Sequence, residues 1–295
     1  MGTSVLLRLS HGAAPPKIDK PKLKRRFSMD LYWVLMSFCL VLTQESLVYA
    51  DQAPPPSTDN RTLMERLVRA YPDQLQGYEG NDIVWKDGTR MAFDDDIRDK
   101  PFETLLNAPS LRDEFSMKYS PGQPQGIPME NFDPGRIRFE PFFERMYGNC
   151  DKNEVVPKLS TIAWLPKHNG GSLKVTAVNG VDHKLAAISK ELDELPDSYT
   201  KYLIPSAGIY NCRAIAGTSR RSMHAYGAAI DINVKYSHYW QWSTEQKGNY
   251  KYQNAIPYEI AAIFEKYGFI WGAKWYHFDT MHFEYRPEIL SPSSE

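Results

Sequence analysis

The chain has 295 residues, 42% apolar and 24% charged, which excludes a disordered or fibrous protein and fits one sizeable domain with an appendage or two small ones. Thirty-five Lys and Arg against thirty-six Asp and Glu give a formal net charge of −1, without the basic footprint of a nucleic-acid binder. A partner is therefore to be sought through a site and not through bulk charge.

The N-terminus reads as an export segment. Lys17 to Arg26 is a basic run, Leu31 to Leu42 is an apolar stretch too short to span a bilayer comfortably, and Val48-Tyr49-Ala50 offers small or aliphatic residues before a cut. Residues 1–50 are thus expected to be a signal peptide cleaved after Ala50, with an uncleaved anchor of the same topology as the alternative. Either places the remainder outside the cytoplasm, periplasmic or extracellular in a bacterium, and limits membrane contact to this segment. Losing seven basic and three acidic residues leaves 28 against 33, a mildly acidic exported protein. Cys39 goes with the signal. Cys150 and Cys212 remain, and an even pair in an oxidising compartment predicts one disulfide, two buried free thiols being the alternative.

Residues 51–60 are polar and proline-rich and read as a linker. In 61–132, an N-terminal accessory region, Leu63, Leu67 and Tyr71 recur at helical spacing and predict a helix over 62–71. Lys86-Asp87-Gly88 predicts a turn. Asp94-Asp95-Asp96 lacks the alternating ligands of a calcium loop and reads as a solvated acidic turn. From Asp133 to residue 290 the signal sharpens into the expected catalytic domain. Val175 to Val178 is a β-branched run, and Asp182 is expected to cap a helix carrying Leu185, Ile188, Leu192 and Leu195 until Pro196 ends it. A second helix starts near Pro257, buries Ile260, Ile263, Phe264 and Tyr267, and stops at Gly268. Strands are expected at 209–215, 229–234 and 280–285. Helices and short strands without a βαβ rhythm predict an α+β fold, with helices packed on a small, mainly antiparallel sheet.

Two stretches concentrate the chemistry. The first is Ser222-Met223-His224-Ala225-Tyr226-Gly227-Ala228-Ala229-Ile230-Asp231-Ile232-Asn233, and the second is Trp275-Tyr276-His277-Phe278-Asp279-Thr280-Met281-His282-Phe283-Glu284. A hydrolytic zinc site needs three protein ligands and one open position, and His224, Asp231 and His282 can supply the three. Gly227 permits a close approach between the histidine and a strand, and Ala228 and Ala229 leave room beside a metal. In a strand, Ile230, Ile232 and Val234 share one face while Asp231 and Asn233 share the other.

These motifs resemble the zinc peptidases that include D-alanyl-D-alanine carboxypeptidases of the VanY type and L-alanyl-D-glutamate endopeptidases, over roughly 133–288. The resemblance implies His224, Asp231 and His282 as zinc ligands, Asp279 as catalytic carboxylate and Arg213 as a substrate-facing cation. Lys274 stands where many members carry an acidic residue. Asp279 and His282 would fall on opposite faces of a regular strand, so the chain must bend at 278–280 for both to reach one centre. Arg213 suits a terminal carboxylate or a developing oxyanion, with Arg220 and Arg221 competing for that role.

Ser222, Tyr226, Trp275 and His277 are further candidates for substrate contact. Trp271 and Tyr276 are possible groove residues, and His168, His183 and His238 are expected on the surface. The leading expectation is a monomeric zinc peptidase acting on peptidoglycan stem peptides. A non-catalytic zinc-containing wall-binding module is the alternative from another class. A non-haem iron oxygenase is disfavoured because the expected ligands His224 and Asp231 stand seven residues apart and do not form the local His-x-Asp pair of that chemistry.

Overall fold

The computed structural model describes residues 60–246 and 249–290, all within one compact unit, Ser57–Glu295. The expected signal and most of the linker lie outside the described residues. Among those described, no helix is long and apolar enough to cross a membrane.

Helix α1 (Asn60–Ala70) buries Leu63, Met64 and Leu67, followed by the buried Tyr71, as the helical spacing requires. Strands β1 (Leu75–Glu79), β2 (Asp82–Trp85) and β3 (Arg90–Ala92) then form an antiparallel meander. The Lys86-Asp87-Gly88 turn joins the last two, with Gly88 at φ +81°. The acidic run that follows is not simply solvated. Asp94 is buried and accepts hydrogen bonds from Asn60 and both Nη atoms of Arg98, while Asp95 pairs with Lys100. Cations of the protein already fill the role a bound ion would have.

After α2 (Phe102–Asn107) and α3 (Glu140–Tyr147), the hairpin of β4 (Leu159–Ala163) and β5 (Ser172–Thr176) leads into α4 (Val181–Leu192). Asp182 does not cap that helix. It sits inside the first turn and accepts from Ser160 Oγ at 2.8 Å, while Gly180 occupies the N-cap at φ +63° with no side-chain cap. The helix buries Leu185, Ile188 and Leu192 and ends there, before Leu195 and Pro196.

Helix α5 (Thr200–Leu203) precedes the segment expected as a strand at 209–215. That segment makes only isolated bridges, Gly208 to Asp231 and Ala214 to Arg221, and is an extended loop. Next come β6 (Ala229–Asp231), the short pair β7 (Thr244–Gln246) and β8 (Asn249–Tyr250), α6 (Tyr258–Lys266), β9 (Phe269–Trp271), β10 (His282–Tyr285) and α7 (Pro287–Leu290). Helix α6 starts after Pro257 and is followed by Gly268 at φ +90°, as its sequence predicts. The alternation expected through 234 ends early, since β6 stops at Asp231 and Val234 is exposed in a 3₁₀ turn. Ala228 and Ala229 belong to the apolar core instead of lining a metal.

The architecture is α+β, with small antiparallel sheets. The sheet that matters is β6-β10-β9, both pairings antiparallel, with Phe283 opposite Ile230 on one side and Trp271 on the other. Phe264 of α6 stacks on Phe283 with centroids 3.9 Å apart, so the helix closes the core face of the sheet. Truncating such a ring costs about 3–5 kcal/mol. The N-terminal segment shares this core, and Tyr71 donates to Glu288 Oε2 at 2.5 Å.

Cys150, just after α3, is bonded to Cys212 at a sequence separation of 62, which fits an exported protein. The chain-entropy relation puts its effect at about 4 kcal/mol. Replacing both cysteines with serine is expected to lower the denaturation free energy by about that amount, read as a lower urea midpoint. An unchanged midpoint would refute the assignment.

Candidate metal centre and its cleft

His224 stands on a single 3₁₀ turn (Met223–Tyr226). Ser222 caps its start, its Oγ accepting from the His224 amide at 3.3 Å, and Gly227 ends it at φ +67°. A Cβ on Gly227 would lie 2.8 Å from Leu159 Cδ2 and 3.1 Å from the Thr176 amide nitrogen. That amide donates to the Gly227 carbonyl at 3.0 Å, so only glycine fits both the backbone angle and the approach to β5. The His224 ring is oriented by its Nδ1, 2.6 Å from the Ile209 carbonyl, which turns Nε2 inward. Asp231 ends β6 directly opposite His282, the first residue of β10. His282 has Nε2 on Glu284 Oε2 at 2.8 Å and turns Nδ1 inward.

Three potential ligand atoms converge. His224 Nε2 and His282 Nδ1 are 3.2 Å apart, His224 Nε2 and Asp231 Oδ2 are 3.2 Å apart, and His282 Nδ1 and Asp231 Oδ1 are 3.0 Å apart. Tetrahedral donors on bonds of about 2.0–2.1 Å would be separated by roughly 3.3 Å, so the set fits zinc in both chemistry and spacing. Burial opposes ionisation of Asp231, but the two imidazoles, His224 first, outweigh it and hold the carboxyl below its usual range. For His282, burial is overcome by the hydrogen bonds it donates to Asp231 and Glu284, and the imidazole is pushed up to about 10. A cation entering this site must therefore displace a proton.

Asp279 reaches the same place because the chain bends. The His282 amide donates to the Asp279 carbonyl at 3.2 Å, closing a turn over Thr280 and Met281 before β10 begins, as the strand-face conflict required. Gly272 lets this turn pack closely, since a Cβ there would sit 2.4 Å from the Asp279 carbonyl oxygen. Trp271 Nε1 donates to the Thr280 carbonyl at 3.0 Å and fixes it. The Asp279 Oδ1 atom is buried with no hydrogen-bond partner, and burial, with the Asp231 charge adding, pushes its carboxyl up to about 6. An unsatisfied carboxylate oxygen beside three converging ligand atoms marks a place for a polar guest.

These four residues line a cavity of about 230 Å³ with Arg136, Arg138, Arg213, Ser222, Tyr239 and Trp275 among its walls. Arg213 is exposed there, and among the described residues its guanidinium donates only to the Ala214 carbonyl, at 3.4 Å. Trp275 is a wall held by Nε1 on the Pro134 carbonyl at 2.7 Å. Other expected contacts fall elsewhere. Tyr226 is buried against Phe143 and Tyr147 in the core, because its position on the turn points away from His224. His277 is held by Asp133 at 2.6 Å and lines a neighbouring cavity. Trp271 is wholly buried, and Tyr276 packs on Tyr250 and His277. Lys274 is buried against Glu265, the Ser120 carbonyl and the Tyr119 ring, away from the cleft.

The sequence reading passed over Glu284, although the two-residue period of a strand puts it on the His282 face. Arg136, Arg138, Tyr239 and Trp242 also line the cavity without any local signal. Arg138 pairs with Glu284, Arg286 pairs with Glu114 at 2.7 Å and with Glu288, and all of these side chains are buried. Burial opposes ionisation of Glu284, but Arg138 and then His282 outweigh it and keep it charged. Replacing Glu284 with glutamine weakens the brace on His282 and leaves Arg138 poorly compensated. Zinc affinity is expected to fall about 10–100-fold in a chelator-competition titration, and equal affinity would show that Glu284 does not orient the ligand.

The comparisons with known proteins bear on this same region. Residues 216–285 match the family described as D-alanyl-D-alanine carboxypeptidase, a span that holds His224, Asp231, Asp279 and His282. No curated protein and no solved structure matches the chain. Over 216–285 the chain is thus similar to the D-alanyl-D-alanine carboxypeptidase family that its two motifs resemble.

Proposed function

We propose that this chain is an exported zinc peptidase that removes the terminal D-alanine from D-alanyl-D-alanine peptides of the peptidoglycan stem. The observation that carries the reading is the convergence of His224, Asp231 and His282 at 3.0–3.2 Å, with an unpartnered buried Asp279 oxygen beside them. The family match over 216–285 supports a peptidase acting on peptidoglycan-type substrates. A zinc ion held by the three residues would supply Lewis acidity toward the scissile carbonyl and acidify a water.

The remaining roles fall to the chain itself. Asp279, in its carboxylate form, takes a proton from the attacking water and passes it to the leaving nitrogen, the general-base and general-acid halves of one cycle. Arg213 is exposed at the cavity with no ion-pair partner among the described residues, so its planar fork is available for a free terminal carboxylate. That availability favours carboxypeptidase action over cleavage between L-alanine and D-glutamate inside the stem. Trp275 and Tyr239 wall the cavity and limit water around the reacting bond.

Incubating the mature protein with stem pentapeptides and weighing the products tests the reading. Loss of one D-alanine, abolished by chelation and reduced about 10²–10⁴-fold by Asp279→Ala at undiminished zinc content, is the expected result. Fragments cut between L-alanine and D-glutamate would replace the carboxypeptidase with an endopeptidase. Zinc at one per chain with no product at all would favour a binding module. His224→Ala is expected to leave far less than one zinc per chain by elemental analysis, and unchanged zinc would defeat the ligand assignment.

A further inference from the structure

Beside the catalytic cavity lies a second one of about 510 Å³, and the two share Arg136, Ile215, Ala216 and Tyr239 in their walls. They are parts of one cleft. What divides them is a hairpin over residues 213–222, held by the Ile215 amide on the Arg220 carbonyl at 2.8 Å and the Ser222 amide on the Arg213 carbonyl at 3.2 Å. Ala214 and Arg221 face each other across it. Directly opposed residues share a face, so Arg213 with Ser222 and Ile215 with Arg220 fall on one side, and Arg221 on the other. The contacts agree with that parity. Arg213 and Ser222 line the first cavity, Arg220 lines the second and Ile215 lines both, whereas Arg221 pairs with Asp151 beside the disulfide.

Arg220 is the anomaly in this arrangement. Its Nε and Nη1 are shut off from solvent without any hydrogen-bond partner, and its side chain takes part in no ion pair with a described residue. A guanidinium in that condition is unfavourable unless an anion completes it. Burial, with repulsion from Arg136 and Arg138, brings it down to about 10, and the attraction of Glu103 and Glu140 does not compensate. Glu103 also lines the cavity but is exposed, so water screens it. Arg136, shared by both cavities, commits Nη1 to the His277 carbonyl at 2.9 Å, and its guanidinium lies 5.4 Å from the centre of the Trp275 ring. The aromatic walls are less available. Trp240 meets His277 edge-on at 4.8 Å and Tyr250 edge-on at 4.7 Å, so these rings spend their faces on one another.

We propose that the second cavity is a subsite for a carboxylate of the substrate peptide other than the one met by Arg213, with Arg220 as the residue that selects for it. The substrate class is accordingly an acidic peptide with at least one free internal carboxylate near the scissile bond. Arg136, at the junction of the cavities, holds the peptide between the two anionic groups. This deepens the peptidase reading above and rests on it.

The test uses a stem pentapeptide and derivatives in which each free carboxylate is replaced in turn by a carboxamide. The zinc-loaded protein, wild type, Arg220→Gln and Arg220→Lys, is assayed for kcat and KM, and binding is measured separately by calorimetry in the Asp279→Asn background. Amidation at one internal position is expected to raise KM and Kd roughly tenfold in the wild type, to have no effect in Arg220→Gln, and to keep part of its effect in Arg220→Lys. If no internal amidation matters in the wild type, or if the penalty persists in Arg220→Gln, the subsite is refuted while the peptidase stands. An equal loss for all peptides in Arg220→Gln would make Arg220 structural and also refutes it. Equal competition by neutral N-acetylglucosamine would assign the cavity to a sugar instead. Should Arg220→Gln fail to fold, the wild-type series and Arg220→Lys decide alone. If the parent peptide is neither bound nor cleaved, it is the stem-peptide reading that falls.

Discussion

The register of β6 on β10 is the constraint on which the rest of the centre depends. Asp231 lies opposite His282, and the pairs Ile230–Phe283 and Ala229–Glu284 follow from it. Because side chains alternate, a slip of one residue would turn Phe283 toward Asp231 and bury the histidine in the apolar face. The packing forbids that slip. Phe283 is sandwiched between Phe264, stacked at 3.9 Å, and Trp271, whose plane is parallel to within 2°. A ring of this size has nowhere else to go, so the hydrophobic core sets the position of the neighbouring His282.

The carboxylate beneath His282 extends that dependence toward the N-terminal part of the chain. Glu284 holds the imidazole, Arg138 and Arg286 hold Glu284, and Glu114 and Glu288 balance Arg286, with Tyr71 bonded to Glu288. Buried ion pairs of this kind contribute little net stability, since desolvation offsets most of the attraction. Their effect is positional. Each member has its partners arranged around it, and removing one would leave a buried charge uncompensated, which costs about 3–5 kcal/mol. Residues far from the motifs thereby influence the geometry of a ligand.

What the sequence made legible follows the range of the forces involved. The helices α1, α4 and α6 are legible because a stripe of apolar residues is a local pattern, and the close approach at Gly227 is legible because a glycine is itself a local signal. The bend at Asp279 was deducible from strand parity. The β-branched and aromatic residues of 209–215 suit a strand, but among the described residues the segment finds no partner that makes a ladder. Asp182 has the chemistry of a cap, but Gly180 already takes the left-handed conformation at the N-cap and Ser160 bonds the carboxylate. Arg136, Arg138 and Glu114 were illegible for another reason. Each has a partner more than a hundred residues away, His277, Glu284 and Arg286 respectively, and nothing in their neighbourhood announces it.

The loop before His224 shows how a chain can hold a site without secondary structure. Its backbone is tied at few points: Ala207 and Asp231 at 2.9 Å, Asn211 and His224 at 3.1 Å, and the Ile209 carbonyl on the imidazole at 2.6 Å. Such a segment has few ladder bonds to resist opening. The disulfide at Cys212 enters one residue before Arg213, and Arg221 pairs with Asp151, the neighbour of Cys150. Both arms of the hairpin are therefore fastened to the end of α3, one covalently and one by charge. That attachment lets two arginines on a loop, Arg213 and Arg220, face the two cavities with fixed parity.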